Sequence, residues 1–187
     1  AGGVRLTAVR RTNEIVRLGQ GVDRTGRLDD AALARTLDVV RDYAAACAEL
    51  GVDLAGGRGR FVATSATRDA SNREDFVEGV RAVLGIEPEV ISGREEARLS
   101  FAGSLLGAGA AASSGSRLVV DLGGGSTELV LGARAPVAAV SMDTGSVRIT
   151  ERHLTGGLTP EAEQAARRDV RGLLEGAAGA VDLGAAT

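Results

Sequence analysis

The sequence predicts a layered α/β fold, and three observations carry that expectation. Short β-branched apolar runs alternate with helical stretches in the order strand, helix, strand, helix, strand up to Ile91. Two further apolar runs flank three consecutive glycines in Arg117-Leu-Val-Val-Asp-Leu-Gly-Gly-Gly-Ser-Thr-Glu-Leu-Val-Leu131, the pattern of a strand–turn–strand hairpin. Hydrophobic residues make up 44% of the 187, enough for a core, while aromatics at 2% leave it to Ala, Val and Leu.

In chain order, Val4–Val9 and Glu14–Leu18 read as strands joined by a turn around Arg11-Thr12-Asn13, and 19–26 reads as a loop. A helix starts at Asp29 or Asp30 and runs to about Leu50. Its apolar face is Leu33, Leu37, Val40 and Ala44, continued by Cys47, and Gly51 is its C′ residue. Gly56-Gly-Arg-Gly-Arg60 lacks a framing acid or hydroxyl and reads as a plain connection into a strand over Arg60–Thr64. Asn72 is placed to N-cap a helix that Gly85 ends, and Glu89–Ile91 is the next strand. Ser92-Gly-Arg-Glu95 matches a capping box, so a helix starts there and passes Phe101. The small-residue stretch Leu106–Ser116 reads as the helix end plus a linker. After the hairpin come a strand at Val137–Ser141, a turn at Asp143–Ser146, a short helix near Val147–Leu154 and a last helix from Thr159-Pro160 to about Leu174.

Composition narrows the function. All 22 basic residues are arginines, which excludes a P-loop lysine but leaves forked, bidentate grips on phosphate. A net charge of −3 and scarce aromatics argue against nucleic acid, and no apolar stretch reaches membrane-span length. Cys47 is the only cysteine, so no internal disulfide forms, in keeping with a cytoplasmic setting. His153, the only histidine, lies on a polar flank beside Glu151 and Arg152 and reads as solvated; no zinc-type spacing exists. The start at Ala1 and the end at Ala-Ala-Thr187 give the expectation of an internal piece of a longer protein.

The chemistry concentrates at two places. Successive amides of a glycine turn can converge on one anion because no Cβ blocks the approach. Asp121 and Glu128, flanking Gly123, Gly124, Gly125, Ser126 and Thr127, would repel a bare phosphate and suit a divalent cation or a water beside it. A plain hairpin turn is the simpler alternative. The second place is the Glu95-Glu96 pair. The capping box employs Glu95, whereas Glu96 has no local task beyond complementing the helix dipole.

Three segments together resemble the exopolyphosphatase/guanosine pentaphosphate phosphatase (Ppx/GppA) family: Ala63-Thr-Ser-Ala-Thr-Arg-Asp-Ala-Ser-Asn72, Glu89-Val-Ile-Ser-Gly-Arg-Glu-Glu-Ala-Arg-Leu-Ser-Phe-Ala-Gly103 and Val119-Val-Asp-Leu-Gly-Gly-Gly-Ser-Thr-Glu-Leu129. The likeness extends to Met142-Asp-Thr-Gly-Ser-Val-Arg148. It implies an actin/sugar-kinase/Hsp70-type fold of two ribonuclease-H-like domains facing a cleft, with residues 1–114 in the first and 115–187 opening the second. It also implies Glu96 as catalytic base, Arg68 and the glycine turn as phosphate-binding, and Asp121 and Glu128 as carboxylates tied to Mg²⁺ and the attacking water. The family's first phosphate loop, Asp-x-Gly-(Ser/Thr)-Asn-Ser, has no counterpart in this chain, so the chain alone is expected to be impaired.

The resemblance implies hydrolysis of a terminal phosphoanhydride of inorganic polyphosphate or guanosine pentaphosphate, in a cytoplasmic protein that commonly forms a homodimer. The rivals are an ATP-dependent kinase or ATPase of the same fold, marked by an adenosine site, and a non-catalytic polyphosphate or alarmone sensor, marked by binding without phosphate release.

Overall fold

The computed structural model describes residues 7–108 and 115–186 in a mixed α/β fold. A turn of helix, α1 (Val22–Thr25), forms inside the 19–26 loop. The long helix α2 (Asp30–Glu49) starts on Asp29, whose carboxylate accepts the Ala32 N–H at 2.9 Å. Gly51 leaves it at φ 68°, a left-handed conformation that glycine adopts without a Cβ penalty.

After a kinked turn over Leu54–Arg58, strand β1 (Val62–Ala63) pairs in parallel with β2 (Glu89–Val90). Between them lie the short helix α3 (Ser65–Asp69) and helix α4 (Arg73–Leu84), closed by Gly85 at φ 67°. Helices α2 and α4 enclose a core of Val22, Leu28, Val40, Phe76, Val77 and Val80, with Leu33 and Leu37 packed against it. Burying a side chain of that size contributes roughly 1.5–3 kcal/mol. Each β strand here is only two residues long, so helix packing dominates this part.

Helix α5 (Gly93–Ala108) leads to an antiparallel sheet of order β3–β4–β5: Arg117–Leu122, Thr127–Gly132 and Pro136–Met142. All of central β4 is buried because both sheet faces are covered. On one face Ala97, Phe101 and Leu105 of α5 pack with Val119, Val130 and Ala139. On the other, Leu173, Leu174 and Ala177 of α7 (Pro160–Ala177) pack with Leu118, Leu129, Val140 and Met142. The helix α6 (Ser146–His153) bridges from β5 to α7. Among the described residues no helix is long and apolar enough to cross a membrane.

Several expectations need correction. The segment Glu14–Leu18 is not a strand; no described segment pairs with it, and Ile15 stays 84% exposed. A strand cannot hold without a ladder partner. The Val4–Val9 reading lies largely outside the described residues, as does most of the proposed linker, at 109–114. Asn72 precedes α4 but does not cap it, because its Oδ1 accepts the Leu28 N–H at 2.8 Å and its amide donates to Leu28 O at 3.2 Å. The capping box is half made: Ser92 Oγ accepts the Glu95 N–H, but the Glu95 carboxylate pairs with Arg98 instead of returning to Ser92. His153 is no free solvated ring, since its Nε2 lies 2.9 Å from Asp169 Oδ2.

Candidate active site

The sheet register assembles one row of polar side chains. Asp121 pairs with Glu128, and Glu128 pairs with Ser141 on β5. Alternation along the strands puts these on the same face as Val119, Val130 and Ala139, the face that α5 covers. The first turn of α5 carries Glu96. Glu128 is 1% exposed, and its Oε1 accepts the Ser141 hydroxyl at 2.7 Å.

The glycine turn ends the same hairpin, and its backbone is held from one side. Ser146 N–H donates to Gly123 O (3.0 Å), Val147 N–H to Gly124 O (2.9 Å), and Arg148 Nε to Gly125 O (2.6 Å). The first turn of α6 thus takes up every carbonyl of the three glycines, two of them with amides that a helix start would otherwise leave unpaired and the third with the Arg148 guanidinium. In a trans peptide the N–H points opposite to the C=O, and no cis bond occurs among the described residues. The amides of Gly124, Gly125 and Ser126 therefore face away from those anchors, and none has a hydrogen-bond partner among the described residues. Close approach requires the glycines: a Cβ on Gly125 would strike Ser65 of α3, and one on Gly145 would stand 2.5 Å from Gly124 O.

Glu96 and the turn meet in one cleft of about 230 Å³, lined by Thr64, Ser65, Glu96, Gly123–Ser126 and Arg148. Glu96 Oε2 is buried and accepts no hydrogen bond, although Arg68 Nη1 is 3.6 Å away. Desolvation first, and the Glu128 charge second, push the Glu96 carboxyl above its ordinary pKa; Thr64 and Arg68 only partly oppose this. A roomier groove of about 730 Å³ beside α5 and β5, rimmed by Arg94, Arg98 and Arg134, contains neither Glu96 nor the glycines. The smaller cleft is the one that joins Glu96 to the glycine turn.

Of the residues singled out in the sequence, Glu96, Gly123, Gly124, Gly125 and Ser126 line the cleft. Thr127 does not: it starts β4, it is 5% exposed, and its hydroxyl is bonded to Thr144 O at 2.7 Å. Gly123 N–H is likewise spent, on Ser126 O. Arg68 stands behind Glu96, donating to Ile91 O at 2.9 Å. Asp121 and Glu128 sit in the row beneath the turn and do not line the cleft. No group of three or more His, Cys, Asp or Glu able to hold a metal occurs among the described residues. An ion such as Mg²⁺ needs one or two carboxylates and takes its other oxygens from water and phosphate; Asp121 and Glu128 would be that pair, with Glu128 already accepting the Ser141 hydroxyl.

Sequence reasoning did not assign Arg148, Asp23 or Ser141 to the site. Arg148 closes the Met142-Asp-Thr-Gly-Ser-Val-Arg stretch, and Gly145 inside it, with no room for a Cβ, was the legible signal. The pairing of Arg148 with Asp23, 125 residues apart, leaves no local pattern.

Comparison with known proteins gives a consistent picture. The family model of the Ppx/GppA phosphatase family matches residues 1–187. Exopolyphosphatase 2 of Mycobacterium tuberculosis is 48% identical over 185 residues, covering 95% of this chain and 56% of that protein. Guanosine-5'-triphosphate,3'-diphosphate pyrophosphatase of Pseudoalteromonas atlantica is 34% identical over 170 residues, covering 90% of this chain and 32% of that one. The crystal structure of an exopolyphosphatase-like protein superimposes with a TM-score of 0.87 at 44% identity, over 96% of this chain and 56% of that chain. The chain thus spans about half the length of the first of these relatives, 56%.

Proposed function

The chain belongs to the Ppx/GppA phosphatase family, and on that premise we propose that it forms part of a metal-dependent phosphoanhydride hydrolase. The substrate class is a chain ending in phosphate, inorganic polyphosphate or guanosine pentaphosphate, from which the terminal phosphate is released. The single observation that carries this reading is that Glu96, whose buried Oε2 accepts no hydrogen bond, lines the same cleft as the glycine turn. A family of phosphatases, and relatives named for exopolyphosphatase and pyrophosphatase activity, support it.

In this reading Glu96 takes a proton from water, whose oxygen bonds to the terminal phosphorus as the bridging P–O bond breaks. The electron pair leaves on the penultimate phosphate, and orthophosphate and a shortened chain result. Such a transition state is loose, so the protein mainly positions groups and offsets charge. The amides of Gly124, Gly125 and Ser126 would hold terminal phosphoryl oxygens. Arg68, which is not among the residues lining the cleft, would offset charge from beside Glu96. Asp121 and Glu128 would hold Mg²⁺, which when bound offsets phosphate charge. The domain division near residue 114 and a cytoplasmic location belong to the same reading.

Glu96→Gln tests it in the complete protein. The amide keeps the shape but cannot take a proton, so phosphate release should fall by about 10²–10⁴-fold with polyphosphate binding retained. Turnover close to the unsubstituted level would reject Glu96 as the base.

A further inference from the structure

We propose that Arg148 is a positioning residue that keeps the glycine turn and Glu96 in register across the cleft. Its side chain is 11% exposed, and a buried guanidinium persists only where fixed acceptors replace its water. Arg148 finds three acceptors on three different elements. Nε donates to Gly125 O in the turn, Nη1 to Asp23 on α1 and Nη2 to Asp69 at the end of α3. Burial works against its charge, and the hydrogen bonds to both aspartates more than offset that.

The route to the base is continuous. Asp69 follows Arg68 in α3, and Arg68 is fixed to Ile91 O while lying 3.6 Å from Glu96 Oε2. Moving Arg148 would therefore shift the oxyanion donors and the base relative to each other. Lysine cannot substitute, because one ammonium does not span a planar fork facing three ways. Asp23 is itself held by Arg152, whose Nε and Nη2 both bond it at 2.7 Å, so the α1 arm is braced from a second side.

The activity readout rests on the hydrolase reading, and the test separates the two. In the complete protein, Arg148→Gln should lower kcat for phosphate release by ~10–100-fold with KM nearly unchanged, since sub-ångström to ångström misplacement acts on the reacting geometry. Added guanidinium should partly restore Arg148→Ala, whereas methylammonium should not, and Arg148→Lys should stay impaired. Unaltered kcat in folded Arg148→Gln, or full activity of Arg148→Lys, overturns the proposal. Should Arg148→Gln fail to fold, Asp69→Asn cuts the α3 arm alone and must lower kcat; a normal kcat there overturns it as well. Should the unsubstituted protein release no phosphate, the hydrolase reading falls, and amide exchange decides. The hydrogen-bonded amides of Gly123 and Arg68 must then both exchange faster in Arg148→Gln, and unchanged rates overturn the proposal.

Discussion

At the scale of single residues, Glu96 shows how an environment tunes a carboxyl. It is withdrawn from water next to the buried Glu128, and both influences disfavour the charged form. If Glu96 is the base, it must be deprotonated to act, so the acidic limb of a pH–rate profile should lie at higher pH than an unperturbed glutamate would give. Glu128→Gln removes the second of these causes and should move that limb to lower pH, as kcat/KM measured against pH would show. An unmoved limb would mean that another group governs it. In the sequence Glu96 stood out through the Glu-Glu-Ala resemblance, with local support from Glu95 carrying the capping signal, although the Glu95 carboxylate turned out to bond Arg98.

Among elements, the glycine turn and α6 behave as one unit. Ser146, Val147 and Arg148 occupy the carbonyls of Gly123, Gly124 and Gly125, so the turn's shape depends on a helix that begins more than twenty residues later. Gly125→Ala would drive a methyl against the Ser65 side chain, which must shift or push the turn off α3. We expect weaker phosphate affinity together with a lower melting temperature, measurable by isothermal titration and calorimetry. An intact affinity would exclude this turn as the anion holder. The hairpin was legible because short apolar runs and three glycines are local signals. The Ser146 and Val147 anchors were not, because backbone hydrogen bonds to a turn place no demand on side-chain identity, and the Arg148 anchor was not because it spans 23 residues. The reading of Glu14–Leu18 as a strand failed for the opposite reason: local apolar content was present, but no pairing strand occurs among the described residues.

Across the whole molecule, ion pairs tie α6 to α1 and α7. Arg148 and Arg152 both reach Asp23, and Arg152 reaches Asp169, against which His153 Nε2 also lies at 2.9 Å. The hydrogen bond from Arg152, chiefly, then that from Arg148, bring the Asp23 carboxyl down to about 2 from 3.8. The sign follows from linkage. A carboxyl with a lowered folded-state pKa stabilises the fold above its unfolded value and loses that contribution as pH falls through the folded one. Urea midpoints should therefore drop between about pH 4 and pH 2, and Asp23→Asn should flatten that fall. An equal slope in both proteins would contradict the assignment. Alternating strands and helices made the α/β class legible from the sequence. These bridges depend on where distant loops end up, which no periodicity encodes.

The size of the cleft has a consequence of its own. At about 230 Å³ it falls below the roughly 300–1,000 Å³ of pockets that enclose an organic ligand. Under the proposed hydrolase reading, such a lining would enclose one end of a phosphate chain and not a whole nucleotide.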